Sequence, residues 1–485
     1  MSERRDSDAW PTLIQGGMGV AVSGWPLARA VSELGQLGVV SGTALDTVLA
    51  RRLQRGDPAG DLRRAISQFP DADVGRRVLD RYFVPGGRPN GAPLDSPVMF
   101  TAAPTAARQE VAVLAGFVEV FLAKEGHGGR VGINFLHKIQ LPTPATLYGA
   151  LLAGVDYVLV GAGIPRDIPS LIDRLCAHEA ASVQLQVSEA GEERFELRFD
   201  PADILSGARP ALRRPRFLAI VASATLAQAL ARRGSGVDGF VVEGPSAGGH
   251  NAPPRGPLTL SDGEPVYGAR DVVDLSRMRA LGLPFWLAGG YASPERLRWA
   301  REQGAAGVQV GSAFALCEES GLDAILRARL REEVRSGHAR VFTDPQASPT
   351  SFPFKVAALP GTLSDASVYE ARERRCDLGY LRELYRRPDG TLGYRCPAEP
   401  VEDYLRKGGQ LEDTVGRKCI CNGLIANTGL GQRRDGHDEP AIVTAGSDLE
   451  GLVPFLADPH QPCTAADVVS YVLGTRCTAE RRPEI

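Results

Sequence analysis

The apolar positions of this chain fall into two alternating patterns. Short runs at 12–15, 37–40, 131–134, 157–160, 217–221, 237–242, 285–287 and 308–310 read as buried strands. Between them, segments 26–35, 144–153, 167–178, 224–232, 272–281 and 294–303 space their apolar residues at helical period. Pro26 lies in the first turn of the first helix, and Ser293 caps the last. Several strands end in glycine. Eight strands, nearly all followed by helices, predict an α/β fold of the (β/α)8 TIM barrel type. An open doubly wound sheet is the second choice. It ranks lower because no glycine-rich turn with dinucleotide spacing opens a helix after the first strand.

Two stretches interrupt the alternation. Residues 44–128 are mostly helical (45–56, 61–69, 74–83 and 106–124) with a Pro/Gly connector at 85–97. That exceeds an ordinary crossover, so it is expected to be a helical insertion that walls the mouth of the barrel. Residues 182–187 and 194–199 alternate with period two around a turn, which predicts a β-hairpin insertion within 182–212. Beyond about residue 330 the alternation stops. Four prolines fall between Pro345 and Pro360, followed by helix-like pieces at 368–385, 401–407 and 465–473. The expected division is a barrel at 11–330 and a C-terminal accessory region at 331–485 that packs on it.

Composition narrows the partners. The chain has 485 residues, 43% hydrophobic and 23% charged, with a net charge of −3. That balance gives no reason to expect nucleic acid or an anionic membrane. No apolar run approaches the roughly 20 residues that cross a bilayer. The first ten residues are polar, with no signal-peptide core, so a cytoplasmic protein is expected. Eight scattered cysteines read as reduced thiols. Cys419 and Cys421 form a C-x-C near Cys396 and Cys463, but no second close pair or finger-like histidine accompanies them. Buried thiols are expected there and no metal. His127, His137, His178, His338, His437 and His460 read as surface or capping residues.

The chemistry is expected in the loops after the strands. The run 237–242 breaks into a loop at 243–256 that is rich in glycine and proline. Its bare backbone suits close approach to a flat or anionic ligand. His250 is the only side chain at 247–251 that titrates near neutral pH. A cofactor shelf with a proton carrier is one reading; an ordinary barrel loop with a surface histidine is the other. After the seventh and eighth strands come Ala288-Gly289-Gly290 and Gly311-Ser312, where barrels often bind phosphate. Close helix–strand packing is the alternative. Gly16 to Gly19 offer backbone amides, with Gly17 and Met18 as ligand contacts or Met18 as core. Asn134 is polar where the third strand should stay apolar, to read a heterocycle edge or cap a turn. Glu243 is placed to accept from a cofactor hydroxyl or to pair with Arg255.

These segments, 14–19, 131–134, 243–250, 288–290 and 310–312, together resemble the FMN-dependent nitronate monooxygenase (2-nitropropane dioxygenase) superfamily. Flavin-dependent type II enoyl-acyl-carrier-protein reductases belong to the same superfamily. The resemblance spans about residues 11–320, and Ala247-Gly248-Gly249-His250 is its most specific part. It implies a flavoprotein that holds FMN non-covalently. Met18 and Asn134 would contact the isoalloxazine and Gly248 and Gly249 would support it. Gly289, Gly290, Gly311 and Ser312 would hold the phosphate, and His250 would be the acid–base residue. Nitronate monooxygenases often carry a lysine in the fifth strand, where this chain has Ile220. The Glu243-Gly244 pair and residues 161–165 look more like the reductase branch. The implied activity is oxidation of an alkyl nitronate or nitroalkane with dioxygen. The alternative is an NAD(P)H-dependent FMN reductase of an enoyl thioester or quinone. A non-catalytic flavin- or phosphate-binding module is the reading from another class.

Overall fold

The computed structural model describes residues 10–475, apart from 90, 233, 435 and 457–461. His460 lies outside the described residues. Eight parallel strands close into a barrel: β1 (Leu13–Gln15), β2 (Leu37–Ser41), β3 (Val131–Leu136), β4 (Tyr157–Gly161), β5 (Arg216–Val221), β6 (Gly239–Glu243), β7 (Phe285–Ala288) and β8 (Gly307–Val310). Each strand pairs with its neighbours in sequence, and β1 pairs with β8 through Leu13↔Val308 and Gln15↔Val310. At least one helix follows every strand. The fold is the (β/α)8 barrel that the alternation predicts.

Alternation of side chains along these strands builds two cores. Ile14, Val39, Leu159, Leu218, Val241 and Trp286 point into the barrel. Leu13, Val40, Ile133, Val158, Phe217 and Phe240 point out against the helices. Gly132 keeps β3 bare inside, because a Cβ there would stand 3.2 Å from both Leu159 and Val39. The floor is closed by aromatic rings. Trp10 stacks edge-on against Trp286 and Tyr157 at 5.6 and 6.3 Å, and Trp286 Nε1 donates to the Pro11 carbonyl at 2.8 Å. Trp286→Ala should cost about 3–5 kcal/mol by emptying this plug. The check is the urea-unfolding midpoint; an unchanged midpoint would mean that Trp10 closes the floor by itself.

Helix Ala106–Lys124 is the crossover between β2 and β3, buried on nearly all sides as an all-round apolar helix must be. Leu45–Gln54, Asp61–Ile66 and Ala72–Tyr82 pack against it. At 181–199 the hairpin is shorter than its pattern. Ala181–Gln184 pairs antiparallel with Glu196–Phe199, whereas Val187 and Ser188 run parallel to Leu384 and Tyr385 of the C-terminal region.

That region departs most from its pattern. The expected helix at 368–385 is a helix only at Ala366–Ala371. Glu383–Arg386 is a strand, paired antiparallel with Leu392–Arg395 across a turn at Asp389-Gly390. Strands Val341–Asp344 and Phe354–Ala357, in the proline-rich stretch, pair with each other. Among the described residues no helix is long and apolar enough to cross a membrane.

Candidate active site

A deep cavity opens at the C-terminal ends of the barrel strands. Gly17, Met18, Asn134, Glu243, Gly248, Gly249, His250, Ala288, Gly289, Gly290, Gly311 and Ser312 all line it. Twelve residues spread over nearly 300 positions thus face one space.

One end is poor in side chains and rich in unmet acceptors. Asn134 lies directly over Gly17: a Cβ at Gly17 would fall 1.7 Å from Asn134 Oδ1. Asn134 Oδ1 and Gln309 Oε1 are buried without a hydrogen-bond partner. Two orphaned acceptors in a cavity wall cost free energy unless a ligand donates to them. Gln309 escapes the sequence pattern because it sits inside an apolar strand, Gly307–Val310.

The other end holds the glycines after β7 and β8. Gly289 and Gly290 take φ of +91° and +77°, a region that favours glycine. Here the structure adds something unforeseen. The segment 444–448 crosses this end: Gly446 N donates to Ser312 Oγ at 2.8 Å, and Asp448 packs against Gly290. Ser312 already has a partner, and a carboxylate stands beside the proposed phosphate cradle.

The C-terminal region therefore forms a wall of the cavity, with Tyr380, Leu381, Cys421, Thr444, Gly446 and Asp448 among its residues. No described residue of 44–128 lines it. The expectation that the helical insertion walls the mouth is corrected: its apolar faces are spent on the crossover helix.

His250 is placed by the same region. It bridges Phe354 in antiparallel fashion, and its ring meets the Phe354 ring edge-on at 4.8 Å. Lys355 N donates to the Gly249 carbonyl at 2.9 Å, and Gly249 N donates to Thr444 Oγ1 at 2.8 Å. Nε2 is shared with Ser348 Oγ at 2.7 Å, which leaves Nδ1 for a ligand. Burial and the nearby Lys138 ammonium push the imidazole well below its usual range. His250 is therefore neutral at pH 7, and its imidazolium is disfavoured. Burial pushes the Glu243 carboxyl up to about 7. Glu243 does not pair with Arg255, which binds Asp271 and the carbonyls of Arg270 and Ala222.

Elsewhere, His127 caps the helix Ala106–Lys124 by donating from Nε2 to the Ala123 carbonyl at 2.7 Å. His137 is buried, not on the surface. Cys376, Cys396, Cys419 and Cys421 converge on one small void. Among the described residues no group of three or more His, Cys, Asp or Glu is placed to hold a metal ion.

Comparison with known proteins points to the same part of the barrel. Residues 212–340, from β5 through β8 to the following helix, match the family model described as nitronate monooxygenase. Nitronate monooxygenase of Pseudomonas aeruginosa is 33% identical over 145 residues, 29% of this chain and 40% of that protein. Probable nitronate monooxygenase of Bacillus subtilis is 34% identical over 110 residues, 23% of this chain and 30% of that protein. The chain thus spans well under half the length of these relatives. Among solved structures, FabK from Thermotoga maritima superposes with a TM-score of 0.45 at 15% identity, covering 96% of this chain and 93% of its own. Nitroalkane oxidase from Streptomyces ansochromogenes gives 0.44 at 15%, covering 97% of each chain. The chain resembles the nitronate monooxygenase superfamily, most closely in the half of the barrel that carries His250.

Proposed function

We propose that this protein is a flavin-dependent oxidoreductase of the nitronate monooxygenase type, with FMN in the barrel cavity. The observation that carries the reading is the meeting of two orphaned acceptors, Asn134 Oδ1 and Gln309 Oε1, with His250 in one cavity. A flavin ring has an N–H to donate and a flat face to lie on bare glycine. When bound, flavin supplies the redox chemistry between nitronate and dioxygen. The remaining work falls to the chain. Gly249, where an added Cβ would meet nothing within 4 Å, leaves room for a planar ring, and Met18 packs at its side. Gly289, Gly290, Gly311 and Ser312 offer backbone and hydroxyl groups at the phosphate end, once Asp448 turns away.

His250 Nδ1 takes a proton from the carbon of a nitroalkane, and the C–H electron pair stays on the substrate as the nitronate. With a nitronate supplied as such, His250 only orients it. Small-molecule substrates are the partners this requires. A second reading, NAD(P)H-dependent reduction of an enoyl thioester or quinone, draws on the Glu243-Gly244 pair and residues 161–165, which look more like the reductase branch.

Anaerobic mixing of purified, flavin-loaded protein separates the readings. Bleaching of the flavin by a nitronate, with NADH and NADPH inert, is the expected result. Bleaching by nicotinamide alone would move the assignment to the reductase. A protein that takes up no flavin would end both.

A further inference from the structure

The hydrogen bonds of His250 continue beyond the cavity. Ser348 Oγ, which meets His250 Nε2 at 2.7 Å, lies 2.9 Å from Thr350 Oγ1. Lys138 Nζ donates to that same Thr350 oxygen at 3.1 Å. Ser348 is fully buried, so no bulk water competes for this chain at its centre. Lys138 and Thr350 line a second, polar cavity, separate from the first except at Tyr380 and Leu381. Among the described residues no carboxylate pairs with Lys138, whose ammonium instead rests on the Phe352 ring, 3.6 Å from its centre.

We infer that Ser348, Thr350 and Lys138 form a proton relay that carries the proton taken by His250 out to water in the second cavity. This deepens the proposed function, on which its kinetic part rests. The relay answers a difficulty in that reading. A histidine whose imidazolium is disfavoured is a weak base if it must keep the proton.

With the chain in place it need not keep it. The substrate C–H bond breaks and its electron pair stays on carbon, while an N–H forms at Nδ1. The Nε2–H bond breaks as Ser348 Oγ gains that proton. Ser348 passes its own hydroxyl proton to Thr350 Oγ1, and Thr350 passes its own to the neutral amine of Lys138. Nothing is oxidised or reduced. His250 ends neutral, as its other tautomer, and the charge appears on Lys138, which releases the proton to water.

The step needs Lys138 neutral at the start, and burial brings its amine down to about 7. The other charged groups leave that charge uncompensated. On the second cavity Lys138 faces Arg382, Glu383, Arg395, Asp413, Arg417 and the hydroxyls of Tyr380 and Tyr404. Arg395 is paired with Glu383 at 2.9 Å and Glu189 at 2.8 Å. Arg417 donates to the carbonyls of Gln346 and Ser348, and Tyr380 is bonded to Asp46 and Thr47. On the main cavity His250 shares the wall with Glu243, Asp448 and Cys421, and on an adjoining cavity with Arg255, Asp271 and Tyr267.

The test is a pH titration of the His250 ring by NMR on histidine-labelled, flavin-loaded protein, beside kinetics on a nitroalkane and its nitronate. The expected result is a tautomer change at His250 with its midpoint near 7. Lys138→Met and Thr350→Val should abolish it, and Thr350→Ser, which keeps the hydroxyl, should restore it. Thr350→Val should lower kcat on the nitroalkane by about 10²-fold, with KM and nitronate turnover unchanged. A midpoint that survives in Thr350→Val would overturn the relay, since charge alone would then couple Lys138 to His250. An unaltered kcat in Thr350→Val would overturn it too. A hydroxyl-dependent midpoint in a protein inert toward both substrates would uphold the chain and refute the proposed activity instead.

Discussion

His250→Asn should lower turnover of a neutral nitroalkane by about 10²–10⁴-fold, with barrel and flavin content intact. Asparagine is polar and smaller than histidine, so the contact with Phe354 loosens without a clash. Its amide has no lone pair basic enough to take a proton from carbon. A preformed nitronate has already lost that proton, so its turnover should fall much less. The gap between the two losses measures the base role apart from binding. Equal losses would reduce His250 to a positioning group, and no loss on either substrate would make it a bystander. Stability gives a second readout. The folded-state imidazole titrates below its unfolded value. The unfolded chain therefore binds the extra proton first as pH falls, and stability is lost below about 6.5. In His250→Asn that acid-side loss should shrink, seen as a flatter fall of the melting temperature between pH 7 and 5.

The barrel was legible because its signals are periodic and local. Each strand is a short apolar run, and most active-face loops begin with glycine, as at Gly16, Gly42, Gly244, Gly289 and Gly311. The alternation also located the face where the cavity lies. The C-terminal contribution had no such signal. Phe354–Ala357 sits among prolines that argue against a strand, yet it pairs with Val341–Asp344 and holds His250 through Phe354. The apolar spacing of 368–385 mimicked one helix over a stretch that holds only the short helix Ala366–Ala371 and then enters the strand Glu383–Arg386. Ser348 and Lys138 are single polar residues in irregular segments, more than 200 positions apart. Only tertiary packing reveals that both reach Thr350. The walling role assigned to 44–128 failed for a related reason. Length marks an insertion but does not say which face of the barrel it covers.

Gly311→Leu should weaken FMN binding about 100-fold, on the order of 3 kcal/mol. Gly311 is the clean position for this test. Its φ of −115° suits any residue, and an added Cβ would lie 3.6 Å from Met18 Sδ, an ordinary contact. The folded chain thus accepts the side chain, and its outer carbons enter the cavity. At Gly289 the same change would strain a positive φ and strike Ser246, mixing folding with binding. Asp448 supplies the opposing arm. Its carboxylate lies against Gly290, and like charges about 4 Å apart repel by about 1–4 kcal/mol near a protein surface. Asp448→Asn should therefore tighten FMN about tenfold and leave riboflavin, which lacks the phosphate, unchanged. Both ligands can be titrated by fluorescence quenching on protein stripped of flavin. Equal tightening of FMN and riboflavin would place the phosphate elsewhere. Full FMN affinity in Gly311→Leu would remove the loop after β8 from the cofactor site.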